Sequence, residues 1–236
     1  MKNVILFLSI FSMLASCAPC VEGMGDVTDE RRLQTAFSKL VISGDFDVTV
    51  ETTSPNTTPY VVVQAQENVI PHIVTELKGD EMTFSVDGCI QSSQPIKIVV
   101  VNAGLQEIEK SGSGKLLSYM PYLATKMKFS NTGSGDLVFK VYSEELGVVN
   151  SGSGNIIIQG VTRDLSIDNR GSGEVKTDMV KTENAVVDSR GSGDVWLHAA
   201  SSLDIQLSGS GNVLYRGEPQ NLQQKNTGSG NIRRAS

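Results

Sequence analysis

Gly-Ser-Gly occurs seven times in this chain, beginning at Gly112, Gly133, Gly152, Gly171, Gly191, Gly209 and Gly228. Successive copies lie 21, 19, 19, 20, 18 and 19 residues apart. A period near 20 residues is one solenoid turn, too short for a propeller blade or a helical repeat. The residues around each copy say which kind of turn. Counting from the first glycine, position −4 holds Ile108, Phe129, Val148, Ile167, Val187 and Ile205, with Gln224 breaking the series. Position −6 holds Met127, Leu146, Leu165, Ala185, Leu203 and Leu222 from the second copy onward. Position +4 holds Leu116, Leu137, Ile156, Val175, Val195, Val213 and Ile232. Residues between them, such as Lys128, Ser166, Asp168, Asp188, Asp204 and Gln206, are polar. Alternation with period two marks half-buried strands, and no helical period competes with it. The expected fold is all-β: a single-stranded parallel β-helix, or β-solenoid, with coils of 19–20 residues.

The same alternation places both glycines of each copy inward and the serine outward. Two successive inward sites without side chains let a coil pinch or bend there. Two residues earlier, also on the inward parity, stand Asn131, Asn150, Asn169 and Asn226. Stacked amides can hydrogen-bond along a ladder, or the asparagines can serve as turn formers. Either role is structural. At roughly 4.8 Å per rung, the seven copies span roughly 29 Å.

Before the ladder, residues 36–105 carry less regular strand patterns, for example Phe46, Val48 and Val50, Met82-Thr83-Phe84 and Ile96-Lys97-Ile98. They are broken by turn signals at Ser54-Pro55-Asn56 and Lys78-Gly79-Asp80. This part is expected to continue the same stack into the repeat part, residues 106–236. At the start of the chain, Lys2 precedes an apolar run over Val4–Leu14. That run is too short to span a bilayer and fits a signal peptide over residues 1–16. Leu14-Ala15-Ser16-Cys17 then looks like a bacterial lipobox, which makes Cys17 the expected lipid attachment. Residues 17–35, with Pro19, Gly23 and Gly25 and no periodicity, look like a lipidated tether.

Leu40-Val-Ile-Ser-Gly-Asp-Phe-Asp-Val-Thr-Val50, Ile96-Lys-Ile-Val-Val100 and the serial Ser-Gly-Ser-Gly-Asn-Ile motif, best at Ser151–Ile156, resemble the head GIN domain. That family is described as an autotransporter adhesin head and is common in envelope lipoproteins of Bacteroidetes-type bacteria. The resemblance covers roughly residues 36–232. It implies a right-handed parallel β-helix-like fold and adhesion, and it supplies no functional residues to carry over.

Few residues of the chain point to reactive chemistry. The two histidines, His72 and His198, are far apart in sequence, and a solvated or satisfied role is expected of His198. Asp136, Asn155, Glu174, Asp194, Asn212 and Asn231 recur just after each Gly-Ser-Gly. Calcium takes six to eight oxygens, but neutral Asn and Lys115 interrupt the column, so a solvated turn column is expected and no metal. Arg170 and Arg190 share one offset and are expected to pair with Glu174, Asp194 or Asp188. Of Cys17, Cys20 and Cys89, the last two could pair in an oxidising compartment; the spacing leaves that open. The formal charge of −6 becomes −7 when Lys2 leaves with the signal peptide. With no basic cluster, nucleic acid is not an expected partner. No cofactor is expected.

The most informative outward feature is position +5: Leu117, Val138, Ile157, Trp196 and Leu214, interrupted by Lys176 and Arg233. If the alternation holds through the strand, this is an exposed apolar column with the chain's single Trp, the mark of an interface. A bulge, or cover by the N-terminal segment, would remove it. The expectation is a non-enzymatic cell-envelope lipoprotein of the outer membrane, periplasmic or surface-facing. It would be held to the membrane by its lipid and present a β-solenoid for adhesion to a protein or glycan ligand. A homo-oligomeric scaffold is the alternative, with a polysaccharide-active β-helix enzyme behind it.

Overall fold

The computed structural model describes residues 19–54 and 56–235; the segment read as a signal peptide, and Cys17 with it, lies outside them. Apart from a 3₁₀ turn at Ile70–His72, the regular elements among the described residues are strands, stacked as a β-solenoid. Leu137–Asn150 is the clearest coil. Leu137, Phe139 and Val141 point inward, the chain bends near Ser143 and Glu144, and Leu146, Val148 and Asn150 point inward again. A Gly-Ser-Gly turn then leads to Ile156–Asn169, and another to Val175–Ser189. Parallel pairing keeps like residues in register: Leu137, Ile156 and Val175 form one column, and Val148, Ile167 and Val187 another. The turn thus separates two ladders whose inward residues meet in the core. Phe129 of one ladder packs on Phe139 of the other, with ring centroids 4.8 Å apart.

The ladder glycines are required by the spacing of the rungs. A Cβ on either glycine of any copy would fall 2.0–2.2 Å from a backbone carbonyl oxygen of the neighbouring rung. Only Gly112 among them has a positive φ, at 104°, so at the rest it is room along the stack that excludes a side chain. The serine between them is exposed in each turn.

Beside the turns runs a buried amide column with a different bonding pattern from simple stacking. Asn131, Asn150 and Asn169 are fully buried. Their Nδ2 atoms donate to the carbonyl of the second glycine one turn on: Gly154 at 3.3 Å, Gly173 at 3.1 Å and Gly193 at 2.9 Å. One amide-to-amide bond joins Asn131 to Asn150 at 3.4 Å, while Asn226 bonds Gly230 of its own turn. In the first copy Lys110 takes this position, buried, and its Nζ donates to the carbonyls of Gly112 and Gly135 at 3.2 and 3.0 Å. Burial disfavours its charge and lowers its pKa, against the opposing pull of Asp136, Asp45 and Asp47.

The N-terminal part belongs to the same stack but in an order that differs from the sequence. Lys39–Ser43 lies between Glu81–Val86 and Glu107–Ser111, and Phe46–Glu51 lies between Ile96–Val101 and Leu116–Leu117. Nor is this part purely parallel. Val27–Leu33, Tyr60–Gln66 and Ile96–Val101 form an antiparallel meander, and Ile73–Lys78 pairs antiparallel with Glu81–Val86. Together the strands of this N-terminal part cap the end of the core.

The expected tether is corrected at the same place. Val21–Glu22 pairs with Ile90–Gln91, Val27–Leu33 is a full strand, and Cys20 is disulfide-bonded to Cys89. Arg32 reaches from that strand to the carbonyls of Ile73 and Ile70 at 2.7 and 3.3 Å, tying the two edge strands together. From Val21 to Leu33 the chain is part of the folded body.

Candidate functional site

The outward columns of the ladder that follows each turn form the candidate interaction face. Leu117, Val138, Ile157, Lys176, Trp196, Leu214 and Arg233 are consecutive partners in the parallel register. The expected apolar column therefore exists as a spatial unit, each of its apolar members half-buried by its neighbours. The register carries it into the cap as well: Thr49 pairs with Leu117 and Val99, and Val99 pairs with Val62.

Apolar side chains more exposed than those of the column lie farther along the same strands. Leu123, Tyr142 and Val161 are register partners near the bend, with 66%, 39% and 47% of their surface open. Tyr119, Met120 and Met179, all more than half exposed, flank them. Sequence alternation missed this second column because it was followed only to position +5. A bulge between Ile157 and Gln159 also shifts the register of the next rung. The period in hydrophobicity beyond Val138 would have been the signal for it: Tyr142 and Val161 share one offset.

Trp196 and His198 stand two residues apart on this face, both half-buried. Trp196 Nε1 and His198 Nδ1 are enclosed and have no hydrogen-bond partner among the described residues. Arg216, the register partner of His198, reaches Asp178 at 3.2 Å. His72 sits in the 3₁₀ turn of the cap, well apart in the fold from His198.

The oxygens expected to line the turns are engaged in structure. Asp136 Oδ1 accepts from the Asn155 amide, Asn155 Oδ1 from Glu174, Asp194 Oδ1 from Asn212, and Asn212 Oδ1 from Asn231. In the cap Asp47 does the same for Lys115. Each oxygen stitches one rung to the next rather than facing a common centre. No group of three His, Cys, Asp or Glu side chains able to hold a metal occurs among the described residues. Arg170 and Arg190 pair within their own rungs, with Asp168 and Asp188, not with Glu174 or Asp194. The Arg190 guanidinium holds the Asp188 carboxyl below the ordinary carboxylate range.

The opposite ladder presents a different surface. There a depression of about 650 Å³ opens over Gly147 and Ser166, the two rungs where a column otherwise occupied by Lys128 and Val186 lacks a large side chain.

Residues 36–219 match the family described as "putative auto-transporter adhesin, head GIN domain". Among solved structures, a putative adhesin from Bacteroides fragilis NCTC 9343 superposes with a TM-score of 0.86 at 18% identity, covering 91% of this chain and 100% of that one. A putative adhesin from Parabacteroides merdae ATCC 43184 gives 0.75 at 20% identity, over 93% of this chain and all of the other. A putative lipid binding protein from Parabacteroides distasonis ATCC 8503 gives 0.76 at 22% identity, over 92% and 100%. No curated protein matches the chain.

Proposed function

We infer, because the chain belongs to the head GIN domain family, that it is a non-enzymatic adhesion module of the bacterial cell envelope. In this reading Cys17 carries the lipid, the protein is an outer-membrane lipoprotein, and the solenoid is a rigid platform whose apolar face contacts another protein. The observation that carries it is the register-aligned column of Leu117, Val138, Ile157, Trp196 and Leu214, widened by Leu123, Tyr142 and Val161. Apolar surface of that extent on one flat face is costly to leave in water, and Trp and Tyr are favoured at protein contacts.

The test uses Cys17→Ser protein, which lacks the lipid attachment, screened on arrays of purified matrix proteins and glycans beside the Trp196→Asp variant. Saturable binding to a protein that Trp196→Asp abolishes supports the reading. Binding indifferent to Trp196→Asp removes the face from it, and turnover of a polysaccharide overturns the non-enzymatic assignment. Light scattering of the same two proteins distinguishes the alternative of a homo-oligomeric scaffold. A multimeric wild type that Trp196→Asp dissociates would assign the face to a second copy. Labelled fatty acid incorporated by the wild type and not by Cys17→Ser checks the anchor.

A further inference from the structure

Gly147 differs from every glycine of the turns. A Cβ there would meet only Lys128, at 3.5 Å or more, which is ordinary contact, and its φ is not positive. Glycine in the middle of a strand weakens it, and its usual justifications are a bulge or the close approach of something else. The pairing of Lys128, Gly147 and Ser166 across three rungs is unbroken, so there is no bulge. What the missing side chain does create is the depression over Gly147 and Ser166, about 650 Å³, closed along the ladder by Lys128 and Val186. Glu145 and Asp164 stand on one side of it, and Val149 and Asp168 on the other.

We propose that this depression is a binding subsite for one uncharged pyranose ring of a glycan, a proposal that rests on the adhesion reading but uses the other face. Its chemistry selects the occupant. The Gly147 backbone, Val149 and Val186 offer an apolar floor for the C–H face of a sugar, while carboxylates and an amide at the rim accept and donate to hydroxyls. The charges around it cancel in pairs: Lys126 with Glu145, Lys128 with Glu107, Arg163 with Asp164, and Arg170 with Asp168. Four cations against four anions leave no surplus for a phosphate, a uronic acid or an ammonium ligand. An extended peptide cannot add to this surface as a strand, because the rungs that form its floor already pair on both sides. Asn184 is held for the role: its Nδ2 donates to Asp164 at 2.9 Å and its Oδ1 accepts from Ser202. The register repeats along the stack, so a polysaccharide running across the rungs could place one residue here and its neighbours over flatter surface.

The probe is a panel of methyl glycosides of neutral hexoses and N-acetylhexosamines and their short oligomers, titrated calorimetrically into the Cys17→Ser protein. Saturable binding of at least one member is expected, reduced more than tenfold by Gly147→Val. That variant fits the available space and suits a strand, so its thermal midpoint should equal or exceed that of the wild type. Ser166→Leu, filling the same hollow from the next rung, should act alike. Absence of binding across the panel overturns the proposal, as does binding that neither variant weakens. Loss of protein binding in Trp196→Asp with glycoside binding intact would separate the two faces. Glycoside binding lost only in Trp196→Asp would move the sugar to the apolar face and sink the subsite.

Discussion

The coils between Leu137 and Ser189 and the cap between Val21 and Val101 share one large sheet, apart from the small separate pair Val21–Glu22 and Ile90–Gln91, yet they hold together by different means. The coils are kept in register by space: rungs approach so closely at the turns that a single Cβ collides with a carbonyl, and buried amides bond that carbonyl from the side. Each coil repeats the same local solution, so each needs only its neighbours. The cap has no such repetition. It is joined by long-range devices: the Cys20–Cys89 disulfide, the Arg32 bonds to Ile70 and Ile73, and antiparallel pairing between segments far apart in sequence. Regular coils propagate order; the cap ends it, covering strand edges that would otherwise invite pairing.

Perturbations that act on one region alone should break that comparison cleanly. The largest effect is expected from Gly171→Val, whose Cβ lies 2.1 Å from the Gly152 carbonyl oxygen. The rungs must part to admit it, at a cost above ~3 kcal/mol, and an unchanged thermal midpoint would contradict the spacing account. If the cap and coils are separately held, Cys20→Ser with Cys89→Ser should unravel only the former. Closing a loop of 69 residues' separation contributes ~4 kcal/mol in the chain-entropy model. Hydrogen exchange should quicken over Val21–Leu33 while Leu137–Asn150 stays protected; uniform loss would mean that the two regions unfold as one. A smaller change, Asn150→Ala, removes the donor to Gly173 and should cost ~1–2 kcal/mol, read as a shift in the urea midpoint.

The smallest effect concerns Lys110, where the column begins. Its folded pKa is lowered from 10.5, so between the two values the unfolded chain binds more protons and stability rises with pH. Lys110→Met should abolish that rise. Lys39, whose pKa is raised by Glu81 and Glu109, loses its contribution only above 10.5, so the two windows do not overlap. A rise toward pH 10 that persists in Lys110→Met would place its cause elsewhere.

The same contrast explains what could be read from the sequence. A repeat writes its structure locally and many times over, so the period and the alternation at −4, −6 and +4 were enough for the β-solenoid and for the apolar column. The cap is written once, in pairings between distant segments. Nothing near Lys39 announces that residues 81–86 will lie beside it, and Val27–Leu33, charged and without alternation, gave no strand signal of its own. At the candidate sites the failures were of another kind. The Asp and Asn column looked like turn chemistry because its partners, the amides of the next rung, are invisible along the chain. Gly147 drew no attention beside the many glycines of the turns, although a side chain would have room there and would have none at any Gly-Ser-Gly copy.

The inverted rung order of the cap has a consequence for how the protein comes into being. Residues 39–51 are flanked in the finished stack by segments 81–101 and 107–117, both of which emerge later from the ribosome. The first third of a growing chain therefore has no finished surface to settle on. Contacts that wait for distant sequence form slowly, which delays the folding of this first segment. Birth order and building order run in different directions here, and the early rungs cannot close until the later ones have been made.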